Sequence, residues 1–281
     1  MLLPRHIVFT AVEGTLFDPS SRSCSGAEDA LAEIDRRHIP LVLSGSGTRA
    51  QLELLRRKIA HAHPFFSESG GGIFFPDSYF SVRLENVVRI ARYLCVPFGK
   101  DYVTASAAVQ EIAAEARANV VGYSQMSPRE IASNGGRPLH EAELERQREF
   151  SERFFFAGDT GEDEPRFSDI ARQRGWQATP GQPFWELSSG NDPGRAVRYL
   201  TGLYRDSLRT RLSSIGIGST AEHLPLLLAV DQPVLLPYRG QHYDSSVLSR
   251  LPHIRLGAAV GAVGWNQAVL DVLKPATAKK L

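Results

Sequence analysis

Three side chains that can perform acid–base chemistry follow hydrophobic runs typical of buried strands. Glu13 comes shortly after the run at residues 6–10, and Glu222 and His223 come after the run at residues 213–217. Carboxylate and imidazole groups that meet in one cleft can accept and donate protons, and can thereby activate a water molecule as a nucleophile. If these three side chains converge, they form an acid–base cluster suited to hydrolysis through activated water, without a covalent intermediate.

Strands and helices that alternate along the chain would have to position these residues. Short aliphatic runs alternate with helical periodicity near both ends of the sequence, which predicts a parallel sheet covered on both faces. The predicted strands are 6–10, 40–43, 213–217 and 234–236, and the predicted helices are 27–37, 48–59 and 221–229. Sites in such folds lie at the carboxyl ends of the strands, so the residues just after each strand carry the candidate chemistry.

The middle of the chain departs from this alternation. Its helical segments carry more charge and its strands are fewer. We predict helices at 105–118 and 139–150, a strand at 154–156 and an acidic turn or loop at 158–165. The sequence therefore predicts an inserted α/β domain over residues 85–187, within a core domain formed by residues 1–84 and 188–281. One continuous large sheet is the alternative that the length permits.

The composition excludes several classes of protein. With 281 residues and a net charge of +1, the chain lacks the basic excess of a general nucleic-acid or membrane-surface binder. It has no apolar run of about 18 residues that could span a membrane, and its first ten residues do not resemble a signal peptide. Two cysteines, Cys24 and Cys95, are too few for a disulfide framework. We expect a cytoplasmic protein with free thiols.

Several spaced motifs resemble those of a known enzyme family. Thr10-Ala11-Val12-Glu13-Gly14-Thr15-Leu16 resembles the strand and Asp-x-Asp-Gly-Thr-Leu motif of the haloacid dehalogenase (HAD) phosphatases. Ser67-Glu68-Ser69-Gly70-Gly71-Gly72-Ile73 is similar to a motif of the mannosyl-3-phosphoglycerate phosphatase branch, a relative of sucrose-phosphate phosphatases. Residues 126–132, 148–152 and 261–266 resemble further signatures of that branch. The resemblance covers nearly the whole chain and implies an α/β fold: a Rossmann-like core with a parallel sheet and an inserted type-IIB cap.

At the first two motifs the family's nucleophile and its phosphate-binding hydroxyl are missing. The first Asp of the family is the nucleophile that takes the phosphoryl group, and Ala11 stands at its position. The second Asp is the general acid–base, and Glu13 keeps a carboxylate there. A Thr or Ser of the second motif binds the phosphate in the family, and Gly45 stands at that position, followed by Ser46. That loop could still offer backbone N–H groups to a phosphate.

The third motif of the family supplies a lysine that neutralises the phosphate. Asp192-Pro193-Gly194-Arg195-Ala196 stands in its frame, with Pro193 in the place of the lysine. The chain is poor in lysine, and none lies nearby; the five are Lys58, Lys100, Lys274, Lys279 and Lys280. Arg195 is two residues further along and is either a phosphate ligand or a solvated helix residue.

The fourth motif of the family holds Mg²⁺ through acidic side chains. Gly216-Ile217-Gly218 keeps its glycine spacing, but Ser219 and His223 replace the metal-binding acids and Glu222 replaces the Asn. Because Mg²⁺ requires oxygen ligands, these replacements remove the charge that would hold it. We expect no cofactor; His223 could suit a softer metal or serve as a hydrogen-bonded structural residue.

Four residues match the sugar-facing cap signature of the family: Arg148, Glu149, Ser151 and Glu152. The same segment is equally consistent with the charged, solvated end of a helix that binds no sugar. If the match holds, the protein binds a sugar or sugar phosphate, or a glycosyltransferase that makes a compatible solute. This second partner rests on analogy with inactive phosphatase-like domains of sucrose-phosphate synthases.

The sequence thus predicts a protein that keeps the phosphatase fold but has lost Mg²⁺-dependent phosphoryl transfer, with a binding or regulatory role. The alternative is an active sugar-phosphate hydrolase, a phosphoric monoester hydrolase that uses a rearranged site at Glu13, Glu222 and His223. In that alternative Mg²⁺ could still take part.

Overall fold

The computed structural model of the chain describes residues 5–18, 23–82, 84–158, 161–238 and 241–274. Its strands are β1 (His6–Ala11), β2 (Leu41–Ser44), β3 (Phe65–Ser67), β4 (Gly72–Pro76), β5 (Val88–Ile90), β6 (Tyr93–Pro97), β7 (Val120–Gly122), β8 (Ser151–Phe156), β9 (Gln177–Thr179), β10 (Trp185–Ser188), β11 (Ser213–Gly218), β12 (Gln232–Leu235) and β13 (Arg255–Leu256). Its α-helices are α1 (Glu28–Arg36), α2 (Arg49–Lys58), α3 (Tyr102–Ala116), α4 (Pro128–Gly135), α5 (Leu139–Glu145), α6 (Asp163–Gln173), α7 (Pro193–Leu208), α8 (Leu224–Leu227), α9 (Ser245–Arg250) and α10 (Gly261–Leu273). Short 3₁₀ turns occupy Glu68–Gly70, Tyr123–Gln125 and Ala221–His223.

The chain divides into two compact units. The first contains Met1–Ser44, Ser78–Arg83 and Pro193–Leu281, and the second contains Gly45–Asp77 and Leu84–Asp192. Residues 45–77 therefore group with the second unit, whereas the sequence-based division assigned them to the core. The domain boundaries drawn from the sequence stay a prediction.

Parallel strands form the centre of the first unit, in the order β13-β12-β11-β1-β2. β1 pairs with β11 on one side and with β2 on the other, with Thr10 opposite Ile217 and opposite Leu43. The runs Ile7–Phe9 and Ile215–Ile217 are buried because both faces of a parallel sheet are covered. The strands predicted near both ends of the chain are confirmed, and so is a parallel sheet.

Helix α10 is fixed to the centre of this sheet by one side chain. Trp265 is fully buried and its indole N–H donates to Thr10 Oγ1 at 2.9 Å. A buried indole N–H needs such a partner, and loss of the side chain would cost about 3–5 kcal/mol. α10 also packs against α1, whose Ala30 N–H donates to Asn266 Oδ1 at 2.7 Å. The motif at residues 261–266 is therefore a packing element of the first unit.

Antiparallel strands dominate the second unit. One run has the order β3-β4-β6-β5, and a separate sheet has the order β7-β8-β10-β9. Helices α3 and α6 cover one face of the separate sheet through a buried cluster that includes Phe154 and Phe167, whose rings lie 4.8 Å apart. A second cluster, with Tyr123 and Phe184, packs α4 and α5.

Three predicted elements differ from the observed ones. The helix predicted at 139–150 ends at Glu145. Helix α6 begins at Asp163, inside the predicted acidic loop at 158–165, because acidic side chains favour a helix amino terminus and a proline there loses no hydrogen bond. The helix predicted at 221–229 is a 3₁₀ turn followed by the short α8. Among the described residues, no helix has the length and apolar character needed to cross a membrane.

Candidate functional site

The residue at the predicted nucleophile position is a buried alanine at the end of β1. Ala11 is 0% exposed, and its carbonyl accepts a hydrogen bond from Thr15 Oγ1. The loop that follows is closed by Phe17 N–H to Val12 O at 2.9 Å and by Gly14 N–H to Phe17 O at 3.0 Å. Glu13 lies half-buried in this loop. The backbone frame of the motif is intact, and the methyl group within it has no lone pair to attack phosphorus.

The end of β11 lies beside this loop. Gly14 has φ +72°, and a Cβ on it would stand 3.2 Å from Ser219 Oγ. Ser219 is 1% exposed, and its hydroxyl has no hydrogen-bond partner within the described residues. We call Ala11, Glu13, Ser219 and His223 the strand-end cluster. The sheet thus brings the first and fourth motifs to one edge, as the sequence predicts.

The imidazole of His223 is turned toward the backbone of its own turn. Its Nδ1 accepts hydrogen bonds from Ser219 N–H at 3.0 Å and Thr220 N–H at 3.3 Å. Because a backbone N–H can only donate, Nδ1 carries no proton and the ring is neutral with its proton on Nε2. Burial lowers the pKa of His223 to about 4, against a smaller opposite effect of the Asp244 carboxylate. His223 therefore acts as a cap of the turn at Ala221–His223.

The predicted acid–base cluster is not assembled around this histidine. Glu222 is exposed on the 3₁₀ turn, and the charge that acts on the His223 pKa comes from Asp244. His223 Nδ1 is engaged by two amides, so it has no free lone pair with which to take a proton from water. This geometry contradicts the role of His223 as a general base in the rearranged site.

The positions that would hold Mg²⁺ do not fit that ion. Mg²⁺ takes several oxygen ligands, usually including one or two carboxylates. After β11 the strand-end cluster offers the Ser219 hydroxyl and an engaged imidazole. No group of three His, Cys, Asp or Glu side chains able to hold a metal occurs in the part of the chain that the structure describes. The donor set at these positions therefore lacks the negative charge that the fold's metal chemistry requires.

The position of the lost lysine begins a helix. Pro193 is the first residue of α7, where its missing N–H costs nothing. Arg195 lies exposed on the first turn of the same helix. The ring of Pro193 carries no cation, so Arg195 is the positive charge closest in sequence to this position.

In the second unit, the loop predicted to bind phosphate uses its backbone internally. Gly45 N–H donates to Phe66 O at 3.3 Å, and Gly45 O accepts from Ser69 N–H at 3.1 Å. Ser46 is half-buried. Because the Gly45 amide is committed to a neighbouring strand, it is not an open donor for a phosphate. A contact from Ser46 stays a prediction.

A buried carboxylate organises the predicted cap signature. Glu68 is 0% exposed, and its two oxygens accept from Glu149 N–H at 2.8 Å, Phe150 N–H at 3.0 Å and Ser151 Oγ at 2.5 Å. Arg148 Nε lies 3.6 Å from the same carboxylate, and Arg148 Nη2 donates to Glu186 at 2.5 Å. We call Glu68, Arg148, Glu149 and Ser151 the Glu68 network. The interpretation of this segment as a solvated helix end is wrong, because it follows the end of α5 and Arg148, Ser151 and Glu152 are buried, while Glu149 is half-buried.

Glu149 and Glu152 each have one carboxylate oxygen bound and one buried without a hydrogen-bond partner among the described residues. Glu149 accepts from Arg49 Nε at 2.8 Å, and Glu152 accepts from Ser124 N–H at 2.9 Å. Burial, and then the nearby Glu68 charge, raise the pKa of Glu149 to about 7. Burial also raises the pKa of Glu152. The sequence did not indicate Glu68 as the centre, although its Ser-Glu-Ser-Gly motif was visible.

The whole chain is similar to curated phosphatases. It is 32% identical over 269 residues to glucosyl-3-phosphoglycerate/mannosyl-3-phosphoglycerate phosphatase of Methanococcoides burtonii, covering 96% of this chain and 97% of that protein. The protein of the same name from Persephonella marina is 30% identical over 273 residues, covering 95% and 97%. Mannosyl-3-phosphoglycerate phosphatase of Pyrococcus furiosus is 27% identical over 234 residues, covering 82% and 90%. No protein-family model matches the chain.

Solved structures share the fold at low sequence identity. The Thermoplasma acidophilum protein 0175 aligns with a TM-score of 0.67 at 14% identity, over 96% of this chain and 98% of that one. A haloacid dehalogenase-like hydrolase from Bacteroides thetaiotaomicron aligns with a TM-score of 0.63 at 16% identity, over 95% and 99%. The predicted fold class, an α/β protein with a HAD-like core and a cap, is confirmed.

Proposed function

The chain belongs to the mannosyl-3-phosphoglycerate phosphatase branch of the haloacid dehalogenase superfamily, and we propose that it is a member that has lost Mg²⁺-dependent phosphoryl transfer and acts by binding. The ligand class proposed is a glycosyl-3-phosphoglycerate or a related sugar phosphate, taken from the names of its relatives. A glycosyltransferase that makes such a compound is the proposed protein partner.

The observation that carries this proposal is the buried methyl group of Ala11. Covalent phosphoryl transfer in this fold needs a carboxylate at that point, and Ala11, 0% exposed at the end of β1, presents a methyl group there instead. Pro193 and the Ser219–His223 turn support the same conclusion, since each stands where the family's chemistry needs a charged group. Removal of one such group commonly costs orders of magnitude in rate.

An active hydrolase is the competing proposal, and one fact favours it. The curated relatives that match over nearly the whole chain are named as phosphatases. Glu13 also retains a carboxylate that could move a proton. In this chain, however, His223 is occupied as a turn cap, so a rearranged site would depend on Glu13 with the exposed Glu222.

A phosphate-release assay separates the two proposals. The purified chain is incubated with mannosyl-3-phosphoglycerate, glucosyl-3-phosphoglycerate and sucrose phosphate, with Mg²⁺ or with EDTA, and the Methanococcoides burtonii relative serves as the active control. We expect no release above the EDTA blank. Mg²⁺-dependent turnover by this chain would overturn the loss-of-activity proposal.

Calorimetry then tests the binding half of the proposal with the same compounds. We expect saturable binding of at least one, weakened by Arg195→Gln if that side chain contacts the phosphate. Arg198→Gln is the matched control, because Arg198 is exposed on the same helix and carries the same charge. Absence of binding by all three compounds would leave the protein partner as the remaining binding role, tested by co-purification with the glycosyltransferase.

A further inference from the structure

A cleft of about 900 Å³ lies at the amino ends of the parallel strands in the first unit. His6, Ser213 and Gln232 line it, and they are the first residues of β1, β11 and β12. Ala11 ends β1 five residues after His6, which corresponds to a separation of about 16 Å along the strand. We call this space the basal cleft. It is distinct from the strand-end cluster, since the two lie at opposite ends of the same strands.

The charge of the basal cleft is strongly one-sided. Of the described residues that line it, one is acidic, Asp231, and five are cationic: Arg5, Arg37, Arg205, Arg211 and Lys274. Several of these cations have acidic neighbours. Arg37 pairs with Glu33, Lys274 lies 2.6 Å from Asp271, and Arg205 lies 3.6 Å from Asp231.

Two of the arginines have a structural reason to be here. Arg37 donates to Leu273 O at 2.8 Å and Arg205 donates to Leu212 O at 3.1 Å. Cations are favourable where helices end, because the last carbonyls of a helix have no partner within it. Each guanidinium has five N–H donors, so one carbonyl and one carboxylate leave donors for a ligand.

Arg5 and Arg211 have no such role. Both are exposed, and within the described ranges neither has a carboxylate within ion-pair distance. The charge of Arg211 still helps to lower the pKa of Asp231. No helix end accounts for the position of these two arginines, and their charges increase the repulsion among the cations of the cleft. An excess of unpaired guanidinium groups in a concave space is the arrangement that binds phosphate, because the planar fork matches two phosphate oxygens.

His6 adds a neutral polar group to this space. Its Nδ1 is buried and has no hydrogen-bond partner among the described residues. Burial, Arg37 and Arg5 lower the pKa of His6, so the ring is neutral at pH 7 and one of its nitrogens can donate. Arg37 and Arg5 therefore lie close enough to His6 for their charges to act on its ring.

We propose that the basal cleft binds a small phosphorylated metabolite that carries at least two phosphate groups. The cations come from separate segments of the chain: Arg5 before β1, Arg37 after α1, Arg205 on α7, Arg211 before β11 and Lys274 after α10. A cleft of this size suits a metabolite-sized ligand with more than one phosphate. A nucleoside diphosphate and pyrophosphate share the required chemistry. The site is independent of the proposed function, because no residue of the strand-end cluster lines it.

Calorimetry in EDTA at low salt tests this site, with pyrophosphate, ADP and inorganic phosphate as probes. The variant Arg5→Gln/Arg211→Gln removes the two unpaired guanidinium groups. Arg250→Gln/Arg255→Gln removes the same charge from exposed positions outside the cleft. We expect pyrophosphate to bind the native chain with one-site stoichiometry, and the first variant to lose at least about tenfold in affinity while the control changes about twofold or less.

Three outcomes would overturn the proposal: no saturable binding of pyrophosphate or ADP at millimolar concentration, equal weakening in both double variants, or inorganic phosphate binding as tightly as pyrophosphate.

A further variant, Arg5→Lys/Arg211→Lys, keeps the two positive charges and removes the planar guanidinium groups. An intermediate affinity for that variant supports bidentate recognition. ADP binding more tightly than pyrophosphate would identify the ligand as a nucleotide, and equal affinity would identify the phosphates as the recognised part.

Discussion

Replacement of Glu68 by glutamine tests whether one buried carboxylate holds the start of β8. The side chain is 0% exposed and accepts hydrogen bonds from two backbone amides and one hydroxyl, at 2.8, 3.0 and 2.5 Å. Hydrogen bonds to an ionised group contribute about 1.5–3 kcal/mol each. Glutamine keeps the shape of the side chain but replaces one carboxylate oxygen by an NH₂ group, which faces hydrogen-bond donors. The substitution also removes one of the two carboxylates beside Arg148 and leaves Glu186 as its acidic partner. We expect a loss of about 3–5 kcal/mol in the free energy of unfolding.

Urea denaturation measures this loss, and tryptophan fluorescence reports on both units. Trp176 and Trp185 lie in the second unit and Trp265 in the first. Hydrogen exchange at the amides of Glu149 and Phe150 provides a local readout. The two amides bind different oxygens of Glu68, and glutamine keeps one oxygen, so one of the two amides loses its acceptor. Glu111→Gln is the matched control. It removes an ion pair with Arg174 whose side chains are 41% and 66% exposed, and such surface pairs contribute about 0–1 kcal/mol. Equal effects of the two substitutions, or unchanged exchange at residues 149 and 150, would refute the reasoning.

Three further predictions concern the strand-end cluster. Ala11→Asp alone should restore no phosphate release, because the lysine and the metal acids are also missing; Mg²⁺-dependent activity of this single variant would contradict that. Folding stability should fall as the pH drops from about 6.5 to about 4, because His223 is neutral in the folded chain with a pKa of about 4 and the unfolded chain takes up the proton first. This contribution amounts to about 3 kcal/mol, and a His223→Gln variant whose urea midpoint keeps the same pH dependence would exclude it. Gly14→Ala should lower the melting temperature by the equivalent of about 1–2 kcal/mol, since φ is +72° and Ser219 Oγ is 3.2 Å away. Gly202→Ala on α7 is the control, because a Cβ there meets nothing within 4 Å, and it should raise stability by about 0.5–1 kcal/mol. Similar melting shifts for Gly14→Ala and Gly202→Ala would refute the expectation for Gly14.

The parallel core could be predicted from the sequence because its signals are local. The run at residues 6–10 is continuously hydrophobic, as a strand buried on both faces must be, and Thr48 before α2 is a helix cap readable from neighbouring residues. Pro193 and Ala11 were identified for the same reason, because the framing glycines and apolar residues define their positions.

The Glu68 network could not be predicted, because its contacts join residues far apart in the chain. Glu68 and Ser151 are 83 positions apart, and no periodicity connects them. The charged residues from 148 to 152 resemble an exposed segment, since hydrophobicity alone does not tell a solvated charge from a buried one with partners. For His223 the sequence left a hydrogen-bonded structural role and a chemical role open, because a sequence does not reveal the direction of a side chain. The structure supports the structural role, since the ring accepts from two amides of its own turn.

The position of β1 between β11 and β2 has a consequence for synthesis on the ribosome. β1 ends at Ala11, and its partner β11 begins at Ser213, roughly 200 residues later. At about 5–20 residues per second, roughly 10–40 s pass between the emergence of the two strands. During that interval Ile7, Val8 and Phe9, all 0% exposed in the finished protein, lack one of their two neighbours. The second unit is complete in the nascent chain before that neighbour exists. One side of β1 therefore stays unpaired until β11 has been synthesised.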